Sequence, residues 1–221
     1  QKQHFIIQAN LKDISSIKML IRKSEENLGP ISVLINNAAD FFPTPFFTTT
    51  EDEWDHFFSI NLKAPFFLSQ NVAKNMKIRG EGKIINLVDV SIDRPWIKFL
   101  PYCSSKAGLT RYAESLRMEL RYTPLNVSIL HLGPVDTKMW DDIDADPLMK
   151  RGVDRFMKFG FMAVADPVKV AKSTVKAVEK NKKEVRLPKR MASNAAINGI
   201  STKIFGALLT GIDIRQEAGK E

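Results

Sequence analysis

Lys83-Ile84-Ile85-Asn86-Leu87-Val88 is a short, mostly apolar run closed by Asp89, and it is followed by a helical pattern over Cys103–Tyr122 and a second apolar run, Val127–Leu132. Runs of four to eight residues rich in Ile and Val, with turn signals at their ends, predict buried strands. The same alternation extends outward in both directions. His4–Ala9 and Ser32–Ile35 read as strands on the N-terminal side, and Glu184–Leu187 reads as one on the C-terminal side. Helix patterns fall between them at Ile14–Leu28, Glu51–Arg79 and Pro167–Asn181. Asp13 or Ser15 caps the first of these, and Gly29-Pro30 stops it. Strand–helix–strand repetition predicts the α/β class: a doubly wound parallel sheet of the Rossmann type, covered on both faces.

One part of that architecture is missing from the pattern. No glycine-rich phosphate loop of the GxGxxG kind occurs in the 221 residues. In a sheet of order 3-2-1-4-5-6, a third strand at His4–Ala9 would need its neighbours from about fifty preceding residues. The chain is therefore expected to enter the fold at about strand 3, without the first β-α-β unit. Residues 1–190 are expected to form one Rossmann-type domain, and residues 191–221 an amphipathic tail.

Composition narrows the classes. A single cysteine excludes an internal disulfide framework and suits a reducing, cytoplasmic compartment. His4, His56 and His131 are scattered without metal-ligand spacing, so no metal is expected. Asp141, Asp142, Asp144 and Asp146 cluster without the glycine and distal glutamate of a calcium loop, and read as a solvated loop. The net charge is +8, and between Lys150 and Arg190 13 Lys/Arg stand against 4 Asp/Glu. No aromatics interleave with those lysines, so a solvated face is preferred to a nucleic-acid surface. In the tail, Ile197, Ile200, Ile204, Leu208 and Ile212 recur at helical spacing. Packing on the domain or on a second subunit is the favoured reading of that stripe, and membrane contact the disfavoured one.

Tyr102 and Lys106 lie four residues apart, which puts a phenol and an ammonium one turn apart on one helical face. A nearby cation favours the phenolate and draws its pKa down from about 10 toward neutrality. With the surrounding motifs the chain resembles the short-chain dehydrogenases/reductases from about residue 4 to 190. Asn10-Leu11 resembles the pair that contacts adenine, and Asn36-Asn37-Ala38-Ala39 resembles the family's NNAG. Asn61 matches the asparagine that kinks a helix and holds a relay water. Gly133-Pro134-Val135-Asp136-Thr137 resembles the loop that flanks the nicotinamide, with Leu132 in place of a proline. The intervals also match: 25 residues from Asn36 to Asn61, 28 to Asp89, 13 to Tyr102 and 31 to Gly133.

The resemblance implies NADP or NAD as cofactor, with NADPH favoured. It implies Asn10, Leu11, Asn37, Ala38, Tyr102, Lys106, Gly133, Val135 and Thr137 as cofactor contacts, and Tyr102, Lys106, Asn61 and Asp89 as catalytic residues. Asp89 stands where the family usually carries serine. A carboxylate only accepts hydrogen bonds, so it suits a substrate that offers N–H donors. Pteridine reductases, a branch of the family, resemble this chain at Asp89 and at Phe41-Phe42-Pro43-Thr44-Pro45. That likeness implies Phe41 as a stacking residue, with Trp140 also on the substrate side. The expected activity is hydride transfer to a C=O or C=N bond of a small molecule, by a homodimer or homotetramer with no nucleic-acid partner. A ketone, aldehyde or 3-oxoacyl-type reductase is one alternative, and a non-catalytic binding relative is another. Lys183–Pro188 resembles the carbonyl-reducing members.

Overall fold

Among the described residues the KIINLV run is the second of four parallel strands. A computed structural model describes residues 4–89, 96–159 and 164–187. Its sheet runs β1 (Val33–Asn36), β2 (Gly82–Asp89), β3 (Leu125–Leu132) and β4 (Glu184–Leu187), hydrogen-bonded in that order. The register pairs Asn36 with Asn86, Asp89 with Leu132, and Leu132 with Leu187. The C-terminal ends of the strands therefore share one edge of the sheet, where open α/β sheets bind ligands.

Local chemistry explains most of the helix boundaries. In α1 (Ile14–Leu28) the Asp13 side chain accepts from the Ser15 and Ser16 amides, and Gly29 ends the helix at φ 81°. Thr50 and Glu53 form a capping box at the start of α2 (Glu51–Phe58). The helical pattern over Glu51–Arg79 is interrupted at Asn61, where the resemblance implied a kink: a π-helical turn, Ser59–Lys63, joins α2 to α3 (Ala64–Arg79). The catalytic-motif helix α4 spans Leu100–Glu119, starting three residues earlier than its pattern suggested. Proline at its first turn makes that start possible, since its missing N–H would be unpaired there anyway.

The Asp141–Asp146 segment is not the solvated loop expected. It forms α5 (Met139–Ala145), and Asp146 caps α6 (Pro147–Lys158) through the Leu148 and Met149 amides. The Asp146-Pro147 pair is a helix-start signal that the clustered charges masked. Asp166-Pro167 does the same for α7 (Pro167–Glu179).

The sheet's alternation divides the core. Ile84 joins α1 and α3 in one cluster, and Val88 with Ile129 packs on Leu109 and Ala113 of α4. Ile85, Leu87 and Leu130 point the other way, onto Ala177 of α7. Helices therefore lie on both faces of the sheet, as expected. Val33 and Ile35, on the α7 side of β1, are exposed among the described residues, Ile35 by 45%. The strand expected at residues 4–9 does not form, and Ile6 stands in solvent. A strand is stabilised by its neighbour's ladder, and the layout gives this segment none to pair with. Residues 191–221, including the apolar stripe of the expected tail, lie outside the described residues, as does Ser91.

Candidate functional site

Tyr102 sits in the first turn of α4, beyond the C-terminal end of β2. Its hydroxyl donates to Asp89 Oδ2 at 2.7 Å. The ring is walled by Phe41 (centroids 5.1 Å), Phe99 (6.2 Å) and Phe57 (6.4 Å), all edge-on. Ile143 from α5 and Met149 and Val153 from α6 complete this apolar cluster, with Trp140 packed at its margin. Phe41 is only 3% exposed and lies 4.6 Å from Phe99, so its faces meet protein rings.

Lys106, one turn further along α4, is buried and places Nζ 6.0 Å from the Tyr102 ring centroid. Burial pulls its ammonium down to about 8, with the Asp89 carboxylate opposing that shift. The tyrosine moves the other way. Burial, and then the charge and hydrogen bond of Asp89, push its phenol well above 10. This corrects the expectation that Lys106 draws Tyr102 toward neutrality. Burial and the carboxylate, which accepts a hydrogen bond from the phenol, both favour its neutral form, whereas the ammonium stands farther away.

Asn61 lies inside the π-helical turn, wholly buried. The extra residue per turn swings its amide inward, as such bulges do at functional sites. Asn61 Oδ1 accepts from the Asp40 amide at 3.0 Å. Its Nδ2 donates to the Asp40 carbonyl at 3.2 Å and to Ser105 Oγ at 3.1 Å. Ser105 Oγ in turn donates to the Tyr102 carbonyl at 2.7 Å. Asn61 thus ties the loop after β1 to the catalytic-motif helix. Sequence reading missed Asp40 and Ser105, although both sit one or three residues from named positions. Asp40 also holds His56 Nε2 at 2.7 Å.

Of the remaining predicted residues, Asn37 and Ala38 follow the C-terminal end of β1, and Gly133, Val135 and Thr137 follow that of β3. Asn37 and Ala38 are exposed just past β1, and Asn36 donates from Nδ2 to Ser69 Oγ and Asn86 Oδ1 in the core. The Gly133 amide donates to the Leu187 carbonyl, and Val135 bridges to Ala165. Thr137 is exposed, its hydroxyl donating to the Val135 carbonyl at 3.3 Å. Asn10 and Leu11 lie at the start of α1, where Asn10 Oδ1 accepts from the Lys12 amide.

Lys106 and the turn past β1 are the residues that would hold a nicotinamide riboside at this edge. Among the described residues, the buried Lys106 Nζ finds one long acceptor, the Leu87 carbonyl at 3.4 Å, so donors remain for ribose hydroxyls. The exposed turn at Asn37-Ala38 leaves backbone open beside it. The phosphates find no glycine-rich cradle in these 221 residues. Among the described residues no cluster of three or more His, Cys, Asp or Glu could hold a metal, and no helix is long and apolar enough to cross a membrane.

The short chain dehydrogenase family profile matches residues 1–148. Galactitol 2-dehydrogenase of Agrobacterium fabrum is 32% identical over 140 residues, 63% of this chain and 55% of that protein. Carbonyl reductase (NADPH) 2 of Sus scrofa is 33% identical over 125 residues, 56% of this chain and 51% of that protein. Among solved structures, a gluconate 5-dehydrogenase from Burkholderia cenocepacia in complex with NADP and tartrate superposes with a TM-score of 0.68 at 20% identity, covering 83% of this chain and 73% of that one. The chain spans about half the length of the curated relatives it matches.

Proposed function

The chain belongs to the short-chain dehydrogenase family, and from that premise we propose that it reduces a C=O or C=N bond of a small molecule with NADPH or NADH. The observation that carries the reading is the Tyr102–Asp89 hydrogen bond at 2.7 Å with the Lys106 ammonium behind the ring. A phenol held above its usual pKa keeps its proton throughout the neutral range. It is ready as an acid and poorly placed as a base, so the pair favours reduction over alcohol oxidation.

The bound cofactor supplies a hydride to the electrophilic carbon. Lys106 would hold the cofactor's ribose hydroxyls, with Asn37 and Ala38 as further cofactor contacts and Thr137 in the loop that would flank the nicotinamide. As negative charge develops on the substrate's oxygen or nitrogen, the Tyr102 hydroxyl passes its proton to that atom. An atom so basic can take a proton even from a weakly acidic phenol, and the Lys106 ammonium offsets the charge left on the tyrosine. Asn61 holds Asp40 and α4 in register, and its expected part in a proton relay belongs to the same proposal.

Asp89 points to the finer substrate class. A carboxylate beside the phenol accepts an N–H and repels a bare alkoxide, which supports a ring carrying C=N beside N–H, as in a dihydropterin. Phe41 is packed by protein rings, so the pterin reading rests on Asp89, with the half-buried Trp140 as the neighbouring aromatic. The similarity to a carbonyl reductase favours a second reading, reduction of a simple ketone or aldehyde. Assembly as a homodimer or homotetramer belongs to the proposal too, and the exposed Trp54 and Phe66 support it.

Tyr102→Phe tests the core of this reading. NADPH oxidation with a panel of ketones and pterins should fall by about 10²- to 10⁴-fold, the usual contribution of a positioned acid, with NADPH affinity nearly unchanged. Near-normal turnover would sink it. Asp89→Ser separates the two substrate classes: it should shift preference from pterins toward ketones, and an unchanged ratio removes the pterin reading.

A further inference from the structure

We infer that Lys98 is a positioning residue whose ion pair with Asp146 holds α5 and α6 over the Tyr102 phenol. Lys98 lies in the short segment between β2 and α4, four residues before Tyr102. It is buried, its side chain 4% exposed, and Nζ reaches Asp146 Oδ2 at 2.6 Å. The same Asp146 accepts the Leu148 and Met149 amides on Oδ1, both at 3.0 Å. One carboxylate therefore starts α6 and anchors it to the segment that starts α4.

Further contacts make the segment a junction. The Lys98 carbonyl accepts from the Thr44 amide at 3.0 Å and the Thr44 hydroxyl at 3.3 Å, fixing the loop that carries Phe41. Trp96 packs on Phe156 of α6 at 5.1 Å. Phe99, the residue after Lys98, touches both Phe41 and Tyr102. Lys98 adopts φ 59°, a left-handed conformation that disfavours any side chain. Such strain persists only where its surroundings hold it, and a buried lysine is costly unless paired. Neither cost serves the sheet, which packs elsewhere. Both bring together the three segments that wall the phenol: the loop after β1, the start of α4, and α5–α6.

The inference rests on the reading of Tyr102 as the proton donor, but its first test does not. Lys98→Gly keeps the left-handed backbone and the carbonyl bonds to Thr44 while deleting the ammonium. Hydrogen exchange of the full chain should quicken at least tenfold across residues 139–158, with β2 and β3 amides unchanged within twofold. Asp146→Asn, which retains an oxygen for the cap, should act alike, and the double variant should be no faster than either single one. Unchanged exchange across 139–158, or an equal acceleration in β2 and β3, would overturn the latch. Should Lys98→Gly not fold, Lys98→Met combined with Asp146→Asn makes the same comparison without an unpaired buried charge. With whichever ketone or dihydropterin is turned over, Lys98→Gly should raise KM at least tenfold and leave NADPH affinity within twofold. A loss confined to kcat would count against it. If Tyr102→Phe stayed active, the proposed function would fail while the exchange result still decided the latch.

Discussion

Replacing Lys106 with methionine should stabilise the protein while abolishing its activity. Methionine nearly matches the lysine in length and asks for no hydration, so the site can close around it without a large cavity. The ammonium it replaces is buried and has its pKa lowered from 10.5 to about 8, chiefly by desolvation. That depression corresponds to about 3 kcal/mol of unfavourable charge burial, at roughly 1.4 kcal/mol per pH unit. Between pH 8 and 10.5 the unfolded chain holds a proton that the folded chain has released, so the wild-type protein gains stability as pH rises through that window. Below about pH 8 both states are protonated and the penalty is complete. Lys106→Met should therefore be about 3 kcal/mol more stable than wild type at pH 7, and the difference should shrink toward zero near pH 10.5. Urea unfolding of the two proteins at pH 7 and pH 10, compared pairwise, cancels the titration of every other group. A variant no more stable at pH 7, or an advantage constant with pH, would refute the assignment of a desolvated cation to this position.

Further outcomes follow from the same geometry. In the free protein, kcat/KM should decline as pH rises through about 8, because Lys106 then loses the charge that supports proton transfer; a profile flat to pH 9.5 would contradict this. Asn61→Ala removes the partner of the Asp40 amide and of the Asp40 carbonyl, and one of the two partners of the buried Ser105 hydroxyl. It should cost about 3 kcal/mol in urea unfolding, at roughly 1 kcal/mol or more per lost partner. At Gly82 an added Cβ would fall 2.4 Å from Met76 Sδ and 2.6 Å from Met76 Cβ. Gly82→Ala should therefore destabilise by about 2 kcal/mol through overpacking, with turnover per folded molecule unchanged.

The elements readable from the chain are those set by short-range physics. Asp13 capping α1, Gly29 ending it and Pro167 opening α7 each act within a turn or two, and their expected boundaries agree with the fold to within two residues. The apolar runs at β2 and β3 announced buried parallel strands for the same reason. Where the reading stopped short or went astray, a longer-range effect intervened. The kink implied at Asn61 takes a π-helical form that the helical pattern over Glu51–Arg79 did not show, with Asn61 buried against Asp40 and Ser105. The segment at residues 4–9 has strand composition, yet a strand without a neighbour has no ladder to join. The four aspartates near Asp146 looked alike in sequence, and only one of them meets a buried lysine 48 residues away.

The sequence by itself determined the α/β pattern, the order of the motifs, and the one-turn spacing of Tyr102 and Lys106, because periodicity and caps are written in residues a few places apart. Tertiary structure alone decided what those two side chains experience. It set Asp89 2.7 Å from the phenol and buried the ammonium, so the tyrosine rises above 10 and the lysine falls to about 8. Protonation depends on desolvation and on the nearest charge, and both are fixed only when segments distant along the chain pack together.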